Sequence, residues 1–266
     1  MNSIIQLDRV TKDYGNDRGV FDLSFVIERG EVVGFLGANG AGKSVTMRML
    51  MGFIRSQSGH ISIEGLDCFT ERKAIQRQVG YLPGELACPT DMTGNAFLDF
   101  VAKMRGSHDR KRRDHLTAFF ELDPSVRIRS MSKGTKQKLG IVAAFMDSPT
   151  VLLLDEPTSG LDLLMQRRFV ELVRAERDRG ATMLLSSHVL GEVESTCDRA
   201  IFIRHGRLSS ETQTANLTLD DTLERLYGTE SLELHWDANG STVADKLSQT
   251  PSSPTSSFTV QKGDDR

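Results

Sequence analysis

The chain predicts an α/β fold: a mostly parallel sheet core with helices on both faces, an N-terminal antiparallel β portion and an all-helical insert. Three observations predict it. Apolar runs VVGFL, VLLLD and TMLLSS recur between helical stretches, the pattern of strands buried on both faces of a parallel sheet. Near the N-terminus, IIQLDRV and LSFVI read as short alternating strands. Between about Asp91 and Met146 the periodicity turns helical: Phe97, Phe100, Val101 and Met104, then Leu116, Phe119 and Phe120, then Leu139, Val142, Ala143 and Met146.

The elements follow in order. After LSFVI, ERGE makes a turn into VVGFL, which runs straight into GANGAGKS. Lys43 to Phe53 then carries Met47, Leu50 and Met51 at helical spacing, so strand, glycine-rich loop and helix are consecutive. HISIEG and VGYL read as two further strands before the helical insert. Beyond VLLLD come a long helical stretch through Leu172 and Val173, the strand TMLLSS, the short helix LGEVESTC and the strand RAIFI. LTLDDTLERLYG reads as one more helix and LELHWDANG as a strand reaching a turn; the Ser/Thr/Pro-rich end has too little apolar surface to offset its ordering entropy.

Composition narrows the classes. With 266 residues, 38% hydrophobic and 26% charged, the chain can bury a proper core. A formal charge of -3 gives no whole-chain argument for nucleic acid or an anionic membrane surface as partner. Cys68, Cys88 and Cys197 lie far apart and fit neither a disulfide framework nor a zinc site, which points to a reducing compartment. MNSIIQLDRV is not a secretory leader, and no apolar run approaches the roughly 18 residues of a membrane span. The run DRKRRDH, residues 109 to 115, lacks interleaved aromatics and reads as a solvated helix face rather than a nucleic-acid patch. The Phe97, Phe100, Met104 stripe reads as core.

Two motifs carry chemistry. GANGAGKS matches the phosphate-binding loop G-x-x-x-x-G-K-[ST] in full, between a strand and a helix, and so assigns the P-loop NTPase class. Gly37, Gly40 and Gly42 let the backbone curl, so that the amides from Ala38, Asn39 and Ala41 through Val45 and the helix N-terminus face anionic oxygens. Lys43 is expected on the β- and γ-phosphates and the Ser44 hydroxyl on a magnesium ion. In VLLLDEP, Asp155 at the strand end is the expected magnesium ligand, and Glu156 the group that orients or deprotonates the attacking water.

On these residues the chain resembles the nucleotide-binding subunit of ATP-binding cassette (ABC) transporters, over roughly residues 4 to 208. MSKGTKQK stands where that family places its LSGGQ signature: Ser132 and Gly134 match, while Lys133 and Thr135 replace a glycine and the glutamine. The resemblance implies that Tyr14 stacks on adenine, that SGLD with Asp162 communicates between facing subunits, and that His188 contacts the γ-phosphate. It implies ATP and Mg2+ as ligands, a second ATP-binding subunit completing two composite sites, and a separate polytopic membrane permease holding the chain at the cytoplasmic face. MSKG and the short loops are similar to the bacterial drug and bacitracin exporter branch. On this reading residues 1–210 are the ATP-binding domain, with a helical part at about 88–147; residues 211–240 are an extension and 241–266 a disordered tail.

There are two departures. Gly84 stands where the family has a glutamine, so either Glu85 substitutes or that contact is absent; Val45 stands where a threonine hydroxyl is common. The alternatives are a soluble cassette ATPase acting on ribosomes or DNA, and a regulatory cassette that binds ATP without hydrolysing it.

Overall fold

The computed structural model describes residues 3–106, 109–187 and 190–227. Strands β1 (Ser3–Asp13) and β2 (Gly19–Glu28) pair antiparallel and precede β3 (Val32–Leu36) and helix α1 (Lys43–Leu50). Strands β4 (Ser58–Ile63) and β5 (Leu66–Asp67), helix α2 (Arg72–Gln78) and strand β6 (Val79–Leu82) follow. Helices α3 (Gly94–Arg105), α4 (Arg110–Phe119) and α5 (Lys133–Phe145) make the insert. The chain returns through β7 (Val151–Asp155), α6 (Leu163–Asp178), β8 (Thr182–Ser187), α7 (Leu190–Thr196), β9 (Arg199–Arg204), β10 (Arg207–Gln213) and α8 (Leu219–Tyr227).

Two sheets result. One is antiparallel, in the order β2-β1-β4-β5; the other runs β10-β9-β3-β8-β7-β6, parallel except for β10 at its edge. The larger sheet is buried on both faces, and the period of two divides its residues between two cores. Val32, Leu36, Leu152, Leu154, Met183, Leu185 and Phe202 pack with the helices of the insert, α6 and α7. Val33, Phe35, Val151, Leu153, Leu184, Ile201 and Ile203 pack with α1 and the antiparallel sheet. Each such side chain contributes about 1.5–3 kcal/mol by leaving water. All these parallel strands point their carboxyl ends the same way, so the segments after β3, β7 and β8 meet on one edge.

The helix starts are chemically specified. Thr93, Asp109, Ser132 and Asp162 each accept a hydrogen bond from the amide three residues on, capping α3, α4, α5 and α6. α3 stops at Gly106, whose φ of 76° is the left-handed conformation of a helix end.

Two expectations are corrected. In α3 the inner face is Phe97, Leu98, Val101 and Ala102; Phe100 and Met104 are 49% and 62% exposed. At about 100° per residue, Phe100 stands about 200° round the helix from Leu98, so both cannot face one core. Nor is the 109–115 run merely solvated. Arg112 donates to the Phe145 carbonyl at 3.0 Å and to the buried carboxylate of Glu176, and Arg113 donates to Asp99 at 2.5 Å, tying α4 to α5, α6 and α3.

β5, α2 and β10 have no counterpart in the sequence expectations; β10, RLSSETQ, is a largely exposed edge strand with no apolar pattern. The helix expected over LTLDDTLERLYG forms as α8, which buries Leu226 while Arg225 lies over the Phe202 ring. The strand expected at LELHWDANG, Trp236 within it, and the tail lie outside the described residues. Cys68, Cys88 and Cys197 are free thiols. Burial pushes them up to about 12, 11 and 12, so they stay protonated at neutral pH.

Phe145 is fully buried and meets Phe169 edge-on at 6.3 Å. Phe145→Ala is expected to cost about 3–5 kcal/mol, read as an earlier urea midpoint with an unchanged slope.

Candidate functional site

β3 ends at Leu36, and the chain coils through residues 37–42 into α1. At Gly42, φ is 111°, and a Cβ would lie 3.0 Å from Val20 Cγ2 and 3.1 Å from the Gly19 carbonyl oxygen. No other residue fits that turn without strain. The coil closes on Lys43, which is only 6% exposed. Its ammonium donates to the Gly37 carbonyl at 2.6 Å and the Ala38 carbonyl at 3.5 Å, and stands 3.5 Å from Glu156 Oε1. A nearly buried cation requires such partners, because desolvation is otherwise costly.

An open cleft of about 550 Å³ runs from Tyr14 along residues 38–45 to Glu156. Arg18 and Arg48 stand on its walls, so three cations, Lys43 included, line the cleft along the loop. That electrostatic arrangement suits a polyanion entering between them. Tyr14 is half exposed at the mouth, with Lys12 Nζ 5.2 Å from its ring centroid.

The acid pair lies at the end of β7. Asp155 is 3% exposed, and its Oδ1 accepts from Ser186 Oγ at 2.6 Å. Glu156 has φ of 48°, the left-handed region, which costs a non-glycine residue on the order of 1 kcal/mol. Its amide is held there by the Ser186 carbonyl at 3.2 Å and Ser186 Oγ at 3.0 Å. The buried side chain of Gln137 donates from α5 to the carbonyls of Pro157 at 2.8 Å and Glu156 at 3.3 Å. Beside the pair, the Tyr81 hydroxyl is pushed up to about 12, first by burial and then by the Asp155 charge, so it remains a donor at neutral pH.

The structure thus brings Tyr14, Ala38, Asn39, Gly40, Ala41, Gly42, Lys43, Ser44, Val45 and Glu156 to one cleft, with Asp155 buried behind it and Gly37 beneath Lys43. Ser132, Gly134 and Asp162 do not line that cleft. Ser132 and Asp162 are exposed helix caps. At Gly134 a Cβ would come within 2.6 Å of the Gly160 carbonyl oxygen, so the glycine permits α5 to touch the loop after β7. His188 lies outside the described residues. Glu85 is exposed and is not on the cleft wall. Arg18, Arg48, Gln137 and Ser186 escape sequence reading, because each is an ordinary polar residue whose place comes from the packing of distant segments.

The donor set suits one hard cation held jointly with a phosphate ligand. Among the described residues no cluster of three or more His, Cys, Asp or Glu could hold a metal alone. Ser44 on the cleft wall and the Asp155 carboxylate offer one hydroxyl and one carboxylate, leaving the remaining positions to phosphate oxygens and water, the usual manner of magnesium binding.

The ABC transporter family profile matches residues 20–159. The chain is 35% identical over 214 residues to the bacitracin transport ATP-binding protein BcrA of Bacillus licheniformis, covering 79% of this chain and 70% of that one. It is 32% identical over 236 residues to the linearmycin resistance ATP-binding protein LnrL of Bacillus subtilis strain 168, covering 87% and 74%. A solved structure described as the ATP-binding subunit of an ABC transporter superposes with a TM-score of 0.75 at 28% identity, covering 82% of this chain and 97% of that one. With the phosphate loop, the acid pair and the two-sheet fold agreeing with these likenesses, the chain belongs to the ABC transporter family as an ATP-binding protein.

Proposed function

We propose that the protein is the Mg-dependent ATPase subunit of an exporter, hydrolysing ATP to move a small molecule or drug through a separate membrane permease. The observation that carries it is the Lys43 ammonium held between the loop carbonyls and the Glu156 carboxylate, beside Asp155 and an open cationic cleft. The names of the similar proteins, bacitracin transport and linearmycin resistance, support the movement of a drug-like compound as the task. No helix among the described residues is long and apolar enough to cross a membrane, which fits a permease supplied by another chain at the cytoplasmic side.

The chain's own groups account for the reaction. The loop amides and the α1 N-terminus take the phosphate oxygens, and Tyr14 offers its exposed ring to the base. Lys43 exchanges the Gly37 carbonyl and Glu156 for phosphate oxygens, neutralising charge that develops as the terminal phosphoryl group transfers. The Glu156 carboxylate orients a water molecule and accepts its proton. A magnesium ion, held by Ser44 and Asp155 when bound, supplies further neutralisation of the phosphate oxygens.

Ser132, Gly134 and Asp162 lie away from this cleft, and His188 follows β8. The signature of one subunit then closes over the ATP of another, so ATP favours closure, and its cleavage opening, in a pair of chains that contribute the same surfaces reciprocally. The permease converts that closure into motion.

Lys43→Ala is expected to weaken ATP binding about 10–100-fold, the loss of one charge-assisted contact, in a titration with a fluorescent nucleotide. Glu156→Gln is expected to lower turnover about 10²–10⁴-fold while keeping ATP, and to elute as an ATP-bound dimer; turnover at the wild-type rate would require another base. At Gly84 an added Cβ would meet Asp155 Oδ2 at 3.3 Å, a tight contact that a shift of a few tenths of an ångström relieves. Gly84→Gln should therefore retain ATPase activity within a few-fold, and complete loss of phosphate release would show that this loop follows another geometry.

A further inference from the structure

β8 runs Thr-Met-Leu-Leu and then ends in two serines, whose side chains take opposite faces of the strand. Ser187 faces α7, donating to Glu192 Oε2 at 2.8 Å, and the other oxygen of that carboxylate accepts from Thr158. Ser186 faces β7, where its register partner is Asp155. It is fully buried, and its hydroxyl is used in both directions: it donates to Asp155 Oδ1 at 2.6 Å and accepts from the Glu156 amide at 3.0 Å. A hydroxyl in a buried strand is costly unless its bonds are made. Here both bonds go to the two consecutive residues on which the proposed chemistry depends.

We propose that Ser186 is a positioning residue for ATP hydrolysis: through one hydroxyl it sets the orientation of the Asp155 carboxylate and anchors Glu156 in its left-handed backbone conformation. The inference rests on the Mg-ATP hydrolysis reading above. With Oδ1 engaged by Ser186, Oδ2 is the Asp155 oxygen left for a cation. With the Glu156 amide engaged by Ser186, the side chain leaves the backbone in the direction that brings Oε1 to 3.5 Å from Lys43. Without the hydroxyl, the Asp155 carboxylate loses the donor at Oδ1 and the Glu156 amide loses its bond to Ser186 Oγ.

The test compares Ser186→Thr with Ser186→Val. The two share the strain of an added methyl group in a full core and differ only in the hydroxyl. Three quantities are read on each full-length variant: phosphate release against ATP concentration, Mn2+ affinity in the presence of ADP by electron paramagnetic resonance, and melting temperature. The Val variant is expected to turn over about 10–100-fold more slowly than the Thr variant, the usual loss when support behind a metal ligand is removed. Its ATP half-saturation should change little and its Mn2+ affinity should fall several-fold, with a lower melting temperature because Asp155 Oδ1 is left buried without its donor. Equal turnover and equal Mn2+ affinity in the two variants would overturn the proposal. If the wild-type protein binds Mn2+ and ADP but releases no phosphate, the hydrolysis reading fails instead, and the Thr–Val difference in Mn2+ affinity still decides the role of Ser186.

Discussion

The nearly buried ammonium of Lys43 is the constraint from which the rest of the site follows. A cation with so little water around it needs oxygen on several sides, and the protein provides the Gly37 and Ala38 carbonyls and the Glu156 carboxylate. Those oxygens come from two strand ends that are far apart in sequence. They can converge only if β3 and β7 lie in one parallel sheet with β8 between them, as the strand order has it. Phosphate oxygens are stronger partners than a neutral carbonyl, so the arrangement is poised to exchange its internal ligands for a nucleotide.

Convergence to within a few ångströms demands a rigid sheet edge. The parallel strands are apolar on both faces, and their alternate residues enter two separate cores, so a strand cannot slide by one residue without exchanging the contents of both. That is why Asp155 and Ser186 stay in register and why a single hydroxyl can hold two consecutive residues of the acid pair. The left-handed backbone at Glu156 is a local cost met by this surrounding order.

Legibility from sequence followed the range of the interaction. The phosphate loop and the acid pair after a buried strand are each written in a few consecutive residues, and both were readable with their elements. The two faces of α3 were not: Phe97 and Phe100 satisfy helical spacing on paper, but only packing against α5 decides that Phe97 and Leu98 turn inward and Phe100 outward. Arg112 looked like part of a solvated run, and its role depends on the Phe145 carbonyl and on Glu176, 64 residues away. Ser186 has no local signature at all, since its partners sit on the neighbouring strand.

Helix α5 links an exposed surface of the chain to the backbone that carries the acid pair. α5 begins at Ser132, exposed and away from the cleft, yet one turn on it sends Gln137 into the interior to hold the carbonyls of Glu156 and Pro157. Gly134 lets the first turn of that helix touch the backbone at Gly160, two residues before the Asp162 cap. The exposed surface around the Ser132 and Asp162 caps is therefore joined, by one buried amide and one glycine contact, to the backbone that carries the acid pair. Both contacts are close-packed: the glycine has no side chain to yield, and the amide is buried.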